Sequence, residues 1–250
     1  MDPSVQFRVS DRLDASERDA TFAAFDGLAT GENLEVLLGV PGEASRLLGA
    51  FQTRYEQSFD WFPLDEETAG LRVQITKRAA EPRTIGSFLG ADHHRLIGYW
   101  EEFLRAITAC QLSYETLFTT EDGHRSATLD RLSQFIFGLR RHIRMEDDEF
   151  FPYFEHRTRM PAASGPTAVM RAEHREIESI LSKVETLLRA GDCATVIQTI
   201  EGQPVHPSSL FRSHDAREEA VLYPMADRLF SQKEKDELCL NMQKIWSSGR

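Results

Sequence analysis

Two stretches of the chain read HIRMEDDEFFP (residues 142–152) and HDAREEAVLYP (residues 214–224). In each, a glutamate follows the histidine by four residues and a proline follows it by ten. On a helix, positions four apart share a face, so imidazole nitrogen and carboxylate oxygen can act on one cation together. Two further stretches, ADHHRL (91–96) and AEHREI (172–177), resemble each other, so the chain carries a rough internal duplication.

The apolar residues say which way these side chains face. Leu89, His93, Leu96, Trp100 and Phe103 advance by four, three, four and three, which puts His93 on an apolar stripe and turns His94 about 100° away. Leu132, Phe135, Leu139, His142, Glu146 and Phe150 form a second stripe. Met170, His174, Ile177 and Leu181 form a third, with Glu178 one turn beyond His174. Leu210, His214, Glu218 and either Val221 or Leu222 form the fourth.

A lone histidine on an apolar face is usually a hydrogen-bonded core residue, and a histidine–glutamate pair at this spacing is usually a weak surface pair. Four helices that each turn a histidine inward, three with a carboxylate a turn later, are harder to dismiss. Burying that many titratable groups unpaired costs on the order of several kcal/mol each. A cation among them removes the cost. The expected ligands are His93, His142, Glu146, His174, Glu178, His214 and Glu218.

Imidazole with carboxylate and no thiolate suits iron, manganese or zinc rather than magnesium or calcium. Six or seven converging side chains exceed what one tetrahedral zinc holds. Two octahedral ions joined by carboxylates and an oxo or hydroxo bridge fit the number better, with iron first and manganese or zinc as alternatives. Haem would leave the glutamates without a role.

The elements that must position these residues are mostly helical after residue 84. Turn signals at TTEDGH (119–124), RMPAASGP (159–166) and EGQPVHP (201–207) divide the chain into amphipathic segments near 85–118, 126–157, 166–190 and 206–230. They predict an up-down-up-down four-helix bundle. Pro152 and Pro224 are expected to bend or end their helices below the site. Phe150, Phe151, Tyr153 and Tyr223 are expected to wall it off from water. Asp147 and Glu219 read as solvent-facing or outer contacts, and His124, His156 and His206 as solvated.

Before the bundle, VQFRV (5–9) alternates like a strand and 16–29 reads as a helix. GENLEVLLGV gives a turn and strand, PGEASRLLGAFQTRYEQ a helix, and SFDWFPLDEETAGLRVQITKR two strands. The reading is thus an α+β two-domain chain: a βαβαββ two-layer sandwich (1–78), a linker AAEPRT (79–84), the all-α bundle (85–232) and a helical tail (233–250). The tail is expected to pack through Leu238, Leu240, Met242 and Trp246.

Composition excludes several classes. A net charge of -11 and a pI near 5.2 argue against a nucleic-acid binder. No apolar run approaches a membrane span, and MDPSVQFRVSD has no signal-peptide pattern. Three scattered cysteines, Cys110, Cys193 and Cys239, exclude a disulfide framework or a thiolate zinc site and suit a reducing cytoplasm.

In the order and spacing of these motifs, residues 85–230 resemble the hemerythrin-like, HHE cation-binding family of non-haem di-iron four-helix bundles. The resemblance implies that His93, His142, His174 and His214 are terminal iron ligands and that Glu146 and Glu218 bridge the ions. The sequence departs from the oxygen carriers of that family in two places. It has His174 with Glu178 where they have HxxxH, and Glu218 lies four rather than five residues after His214. Added anionic oxygen favours the ferric state, so simple reversible oxygen carriage is not the first expectation. The family implies instead binding or sensing of a small oxidant such as O2 or NO. The rivals are an enzyme acting on peroxide or NO, and an iron-donating protein that repairs iron–sulfur clusters.

Residues 1–78 resemble the small TusA-like domain often fused ahead of hemerythrin domains. Its sulfur carriers need a cysteine near the first helix, and none precedes Cys110 here, which excludes persulfide chemistry. A module that docks a protein partner is the remaining expectation.

Overall fold

A computed structural model describes residues 5–8, 14–39, 41–55, 58–67, 70–79, 81–109, 127–190, 192–204 and 206–247. The chain divides into two compact units, one of Met1–Thr84 with Gln232–Arg250 and the other of Ile85–Ser231. The first unit runs β1 (Val5–Arg8), α1 (Ala15–Asp26), β2 (Asn33–Leu38), α2 (Pro41–Tyr55), β3 (Phe59–Glu67) and β4 (Gly70–Lys77). The second runs α3 (Ile85–Ala109), α4 (Ala127–Met145), π1 (Glu146–Phe150), α5 (Phe151–Thr158), α6 (Pro166–Arg189), α7 (Cys193–Glu201), α8 (Pro207–Arg217), π2 (Glu218–Leu222) and α9 (Tyr223–Leu229). Helix α10 (Gln232–Ser247) returns to the first unit.

In the first unit the strand order is β1-β2-β4-β3, with β1 parallel to β2 and the other pairs antiparallel. Strand β2 alternates as a half-covered strand should, and Leu34, Val36 and Leu38 are buried on one face. Asp14 starts α1 by a capping box, accepting from the Glu17 amide while the Glu17 carboxylate accepts from its own. Phe51 of α2 meets Phe22 and Phe25 of α1 and Phe59 and Trp61 of β3, with ring centroids 5.1–6.2 Å apart. Helix α10 packs on α2 and β3, and Gln52 Nε2 donates to Gln243 Oε1 across 191 residues of chain. It buries Leu238, Cys239 and Met242, while Leu240 is half-buried and the side chain of Trp246 lies outside the described part.

In the second unit α3 packs on α4, α4 on α6, α6 on α8, and α9 returns to α3, which is consistent with a four-helix bundle. The expected extension of the first helix to residue 118, the TTEDGH turn and His124 lie outside the described residues. Trp100, Phe135 and Phe211 pack together in the core, the Phe135 ring tilted against the other two at centroid distances of 4.9 and 5.2 Å. Between the expected segments 166–190 and 206–230 the chain forms a further helix, α7. Asp192 caps it by accepting from the Thr195 amide, and it adds Val196, Ile197 and Ile200 to the core.

The two prolines do not end their helices. Each sits at the second position after a π-helical segment, and the helix runs on through α5 or α9. The amides of Phe151 and Tyr223 bond five residues back, to the carbonyls of Glu146 and Glu218. A proline removes an amide and presses its ring on the carbonyl four residues back. A turn widened by one residue relieves that clash, and such bulges recur at functional sites.

Phe135→Ala removes the ring shared by Trp100 and Phe211. It is expected to destabilise the helical unit by about 3–5 kcal/mol, measured by chemical denaturation of metal-free protein.

Candidate metal centre

Both π segments begin on a glutamate, and those glutamates lie at the middle of the helical unit. His93, His142, Glu146, His174, His214 and Glu218 are each between 0 and 3% exposed. The histidines converge through Nε2. His174 Nε2 lies 3.1 Å from His214 Nε2 and 3.3 Å from Glu146 Oε2. His142 Nε2 lies 3.5 Å from Glu146 Oε2. Glu218 Oε2 is 3.4 Å from both His93 Nε2 and His214 Nε2. Two donor groups result, Glu146–His174–His214–Glu218 and His93–His142–Glu218, with Glu218 common to both.

The other ring nitrogens carry the orientation. Nδ1 of His142 meets Asp92 at 2.9 Å, that of His174 meets Asp147 at 3.0 Å, that of His214 meets Glu173 at 2.9 Å, and that of His93 meets Glu219 at 3.4 Å. A carboxylate on Nδ1 holds the hydrogen there and leaves the Nε2 lone pair free for a cation. Arginines stand behind three of these acids: Arg95 beside Asp92, Arg171 beside Asp147 and Arg217 beside Glu173. Asp147 and Glu219, expected as outer residues, are therefore the ones that aim His174 and His93. Asp92 and Glu173 are not marked by the stripes, although each directly precedes a histidine of the cluster.

Glu178 is not brought to the cluster. Its side chain is 37% exposed and pairs with Arg140, which also binds Glu185. The buried residues of α6 are Thr167, Met170, His174, Ile177, Ile180, Leu181 and Val184. At about 100° per residue, position 178 falls on the far side of His174 from the middle of that stripe. Ile177 takes the inward place. His94 is exposed, as is His156; His206 is exposed too, but it caps α8 by accepting from the Ser208 amide.

The aromatic wall is partly polar. Phe150 and Phe151 are fully buried, and Phe151 stacks on His174. Tyr223 stacks on His93, and its hydroxyl donates to Glu146 Oε1 at 2.7 Å while lying 3.2 Å from Glu218 Oε2. Tyr153 packs instead against Phe230.

Without a metal, protons hold the cluster together. Burial would lower the His142 imidazole, but Glu146 and the bond to Asp92 outweigh it and raise its pKa to about 9. His174 is likewise raised to about 10 against burial by Asp147 and Glu146. His93 is raised well above its ordinary value, its burial offset by Glu218 and Glu219. Glu146, which burial alone would raise, is held well below the carboxylate range by His142 and His174. Burial and the charges of Glu146 and Glu218 push the Tyr223 phenol well up.

The donors fit a metal. His142 Nε2, Glu146 Oε2 and Glu218 Oε1 are buried without a hydrogen-bond partner, and all three belong to the donor groups. Buried polar atoms left so are uncommon, and three converging in one cluster of imidazole and carboxylate suit an ion. Neutral imidazole and carboxylate with no sulfur are donors for iron, manganese or zinc.

Asp92→Asn is expected to weaken metal binding roughly 10- to 100-fold by releasing His142, whereas Glu178→Gln leaves it unchanged; competition with a chromophoric chelator reads both. Stability of the metal-free protein should be full below pH ~6.5, the unfolded imidazole value. It is lost as pH rises through about 9 and 10, where His142 and His174 release their protons in the folded state. Metal-loaded protein should not show that decline, because its ligands are already deprotonated. Denaturant titrations across that range compare the two forms.

The family model described as Hemerythrin HHE cation binding domain matches residues 84–226. Among curated proteins and among solved structures, nothing matches the chain. The match covers more than half of the 250 residues and spans both donor groups, so the chain belongs to the hemerythrin HHE cation-binding family.

Proposed function

We propose that this protein holds a pair of iron ions, joined by an oxo or hydroxo bridge, and uses them to bind or sense a small oxidant such as O2 or NO. His93, His142, His174 and His214 would be terminal ligands, with Glu146 and Glu218 between the ions. The observation that carries the reading is the sharing of Glu218 by two buried donor groups, whose spare atoms have no hydrogen-bond partner. One ion cannot use both groups, and two ions linked by a carboxylate can. Iron suits a nitrogen and oxygen donor set of this size, with manganese or zinc as substitutes.

A cavity of about 390 Å³ supports small-molecule access. Its lining includes Gly86, Gly90 and Ala91, and also Glu219 and Tyr223, both of which contact His93. A diatomic ligand needs far less space than this; a water molecule takes about 30 Å³ of liquid.

The up-down-up-down order of the helices is part of the same reading, supported by the packing of successive helices on one another. For the first unit the reading is a TusA-like docking module that reports the state of the irons to a protein partner in the cytoplasm. Its four-stranded sheet with helices supports only the architecture.

The test is to load the full chain with ferrous ion, count iron per chain, and add O2, NO and peroxide separately. Two irons and a reversible spectral change on O2 or NO are expected. Oxygen evolution from peroxide would make the protein an enzyme instead, and iron transfer to an apo-cluster would make it a repair factor. One iron or none per chain would sink the paired-ion reading.

A further inference from the structure

The two donor groups are unequal. One has four donors and the other, His93–His142–Glu218, has three. The chain's internal duplication shows where the difference arises. In HIRMEDDEFFP the residue before the proline is Phe151, and in HDAREEAVLYP it is Tyr223. Both rings follow a π segment directly. Both stack on a histidine, Phe151 on His174 at 5.6 Å and 14°, Tyr223 on His93 at 5.7 Å and 29°. The two positions are thus equivalent, apart from one hydroxyl. That hydroxyl falls beside His93, in the group with three donors.

Its surroundings are those of a ligand. Tyr223 Oη lies 3.4 Å from His93 Nε2, 3.2 Å from Glu218 Oε2 and 2.7 Å from Glu146 Oε1. Donors at adjacent positions on one ion, each bound at about 2.0–2.2 Å, sit about 3 Å from one another. In the metal-free chain two of these spacings are hydrogen bonds from the phenol, and the same three place its oxygen where a ligand of that group would sit. The side chain is 1% exposed, so water does not compete for the place. We propose that Tyr223 is a metal ligand: its phenolate oxygen completes the His93–His142–Glu218 group and binds iron there.

The step is a proton release. The phenolic hydrogen, donated to Glu146 Oε1 in the metal-free protein, leaves to solvent as the oxygen–metal bond forms, and no oxidant is consumed. A nearby cation inverts the local charge balance that otherwise keeps the phenol protonated. Phenolate is a hard, anionic oxygen, so it holds ferric iron better than ferrous.

This rests on the paired-ion reading, and one experiment separates the two. The full chain is loaded with ferrous ion without air, then oxidised, and iron is counted as the visible and resonance Raman spectra are recorded. A phenolate-to-iron charge-transfer band with tyrosinate ring modes is expected, and it should vanish in Tyr223→Phe. Tyr153→Phe, whose ring packs on Phe230, serves as the control and should keep the band. Iron-loaded wild type without the band, or a band that survives in Tyr223→Phe, overturns the proposal. A band with only one iron per chain sustains Tyr223 as a ligand and sinks the paired ions. Two irons with no band does the reverse, and failure to bind iron overturns both.

Discussion

Four imidazole nitrogens and two carboxylates meet where water does not reach, and that meeting has to be neutralised by positive charge. The approach of His174 Nε2 to His214 Nε2 at 3.1 Å makes the constraint concrete. With Nδ1 hydrogens committed to Asp147 and Glu173, two lone pairs face each other unless a proton or a metal stands between them. Protons satisfy the condition in the metal-free chain, which is why His93, His142 and His174 are all raised despite burial. A metal satisfies it better, because one ion serves several donors and leaves no buried oxygen without a partner.

The acids that aim the histidines form a closed circuit. Asp92 on α3 serves His142 on α4, and Asp147, just past α4, serves His174 on α6. Glu173 on α6 serves His214 on α8, and Glu219, just past α8, serves His93 back on α3. Each acid is the chain neighbour of a donor on its own helix. Rotating any one helix therefore displaces its own donor and also the partner of the next helix's histidine. The donors come into register only when all four helices do, so folding of the bundle and preorganisation of the site are one event. Mutual dependence of this kind is what holds a metal site to its productive geometry.

Much of this was legible in the sequence because helical spacing is a strict ruler. Six inward residues, His93, His142, Glu146, His174, His214 and Glu218, follow from the stripes alone, and all six are buried together. Glu178 shows the limit of the ruler. One turn beyond a buried residue is inward only if that residue sits near the middle of the stripe, and His174 sits toward its edge. The prolines misled for a related reason. Each lies at the start of the α-helix that follows a π turn, so the helix runs on, and periodicity does not announce a change of pitch. Asp92 and Glu173 act across helices, and a pairing between helices leaves no mark in either one. Helix α7 and the return of α10 to the first unit were hidden likewise, since each depends on what a segment meets after a long excursion of chain.

The departure from twofold symmetry is what gives the site a direction. A perfectly duplicated bundle would hold two ions alike, with nothing to decide which of them meets a ligand. Here the cavity is lined by Glu219 and Tyr223, which contact His93 of the three-donor group. The four-donor group lies instead beneath the stacked, fully buried ring of Phe151. An ion with fewer protein donors keeps positions that an incoming molecule can take, and an ion enclosed by protein does not. The residue that distinguishes the halves, Tyr223, also lines the cavity, beside the group that holds His93. A single hydroxyl, added to one copy of a repeated pattern, is thus what distinguishes the two rings that stack on His174 and His93.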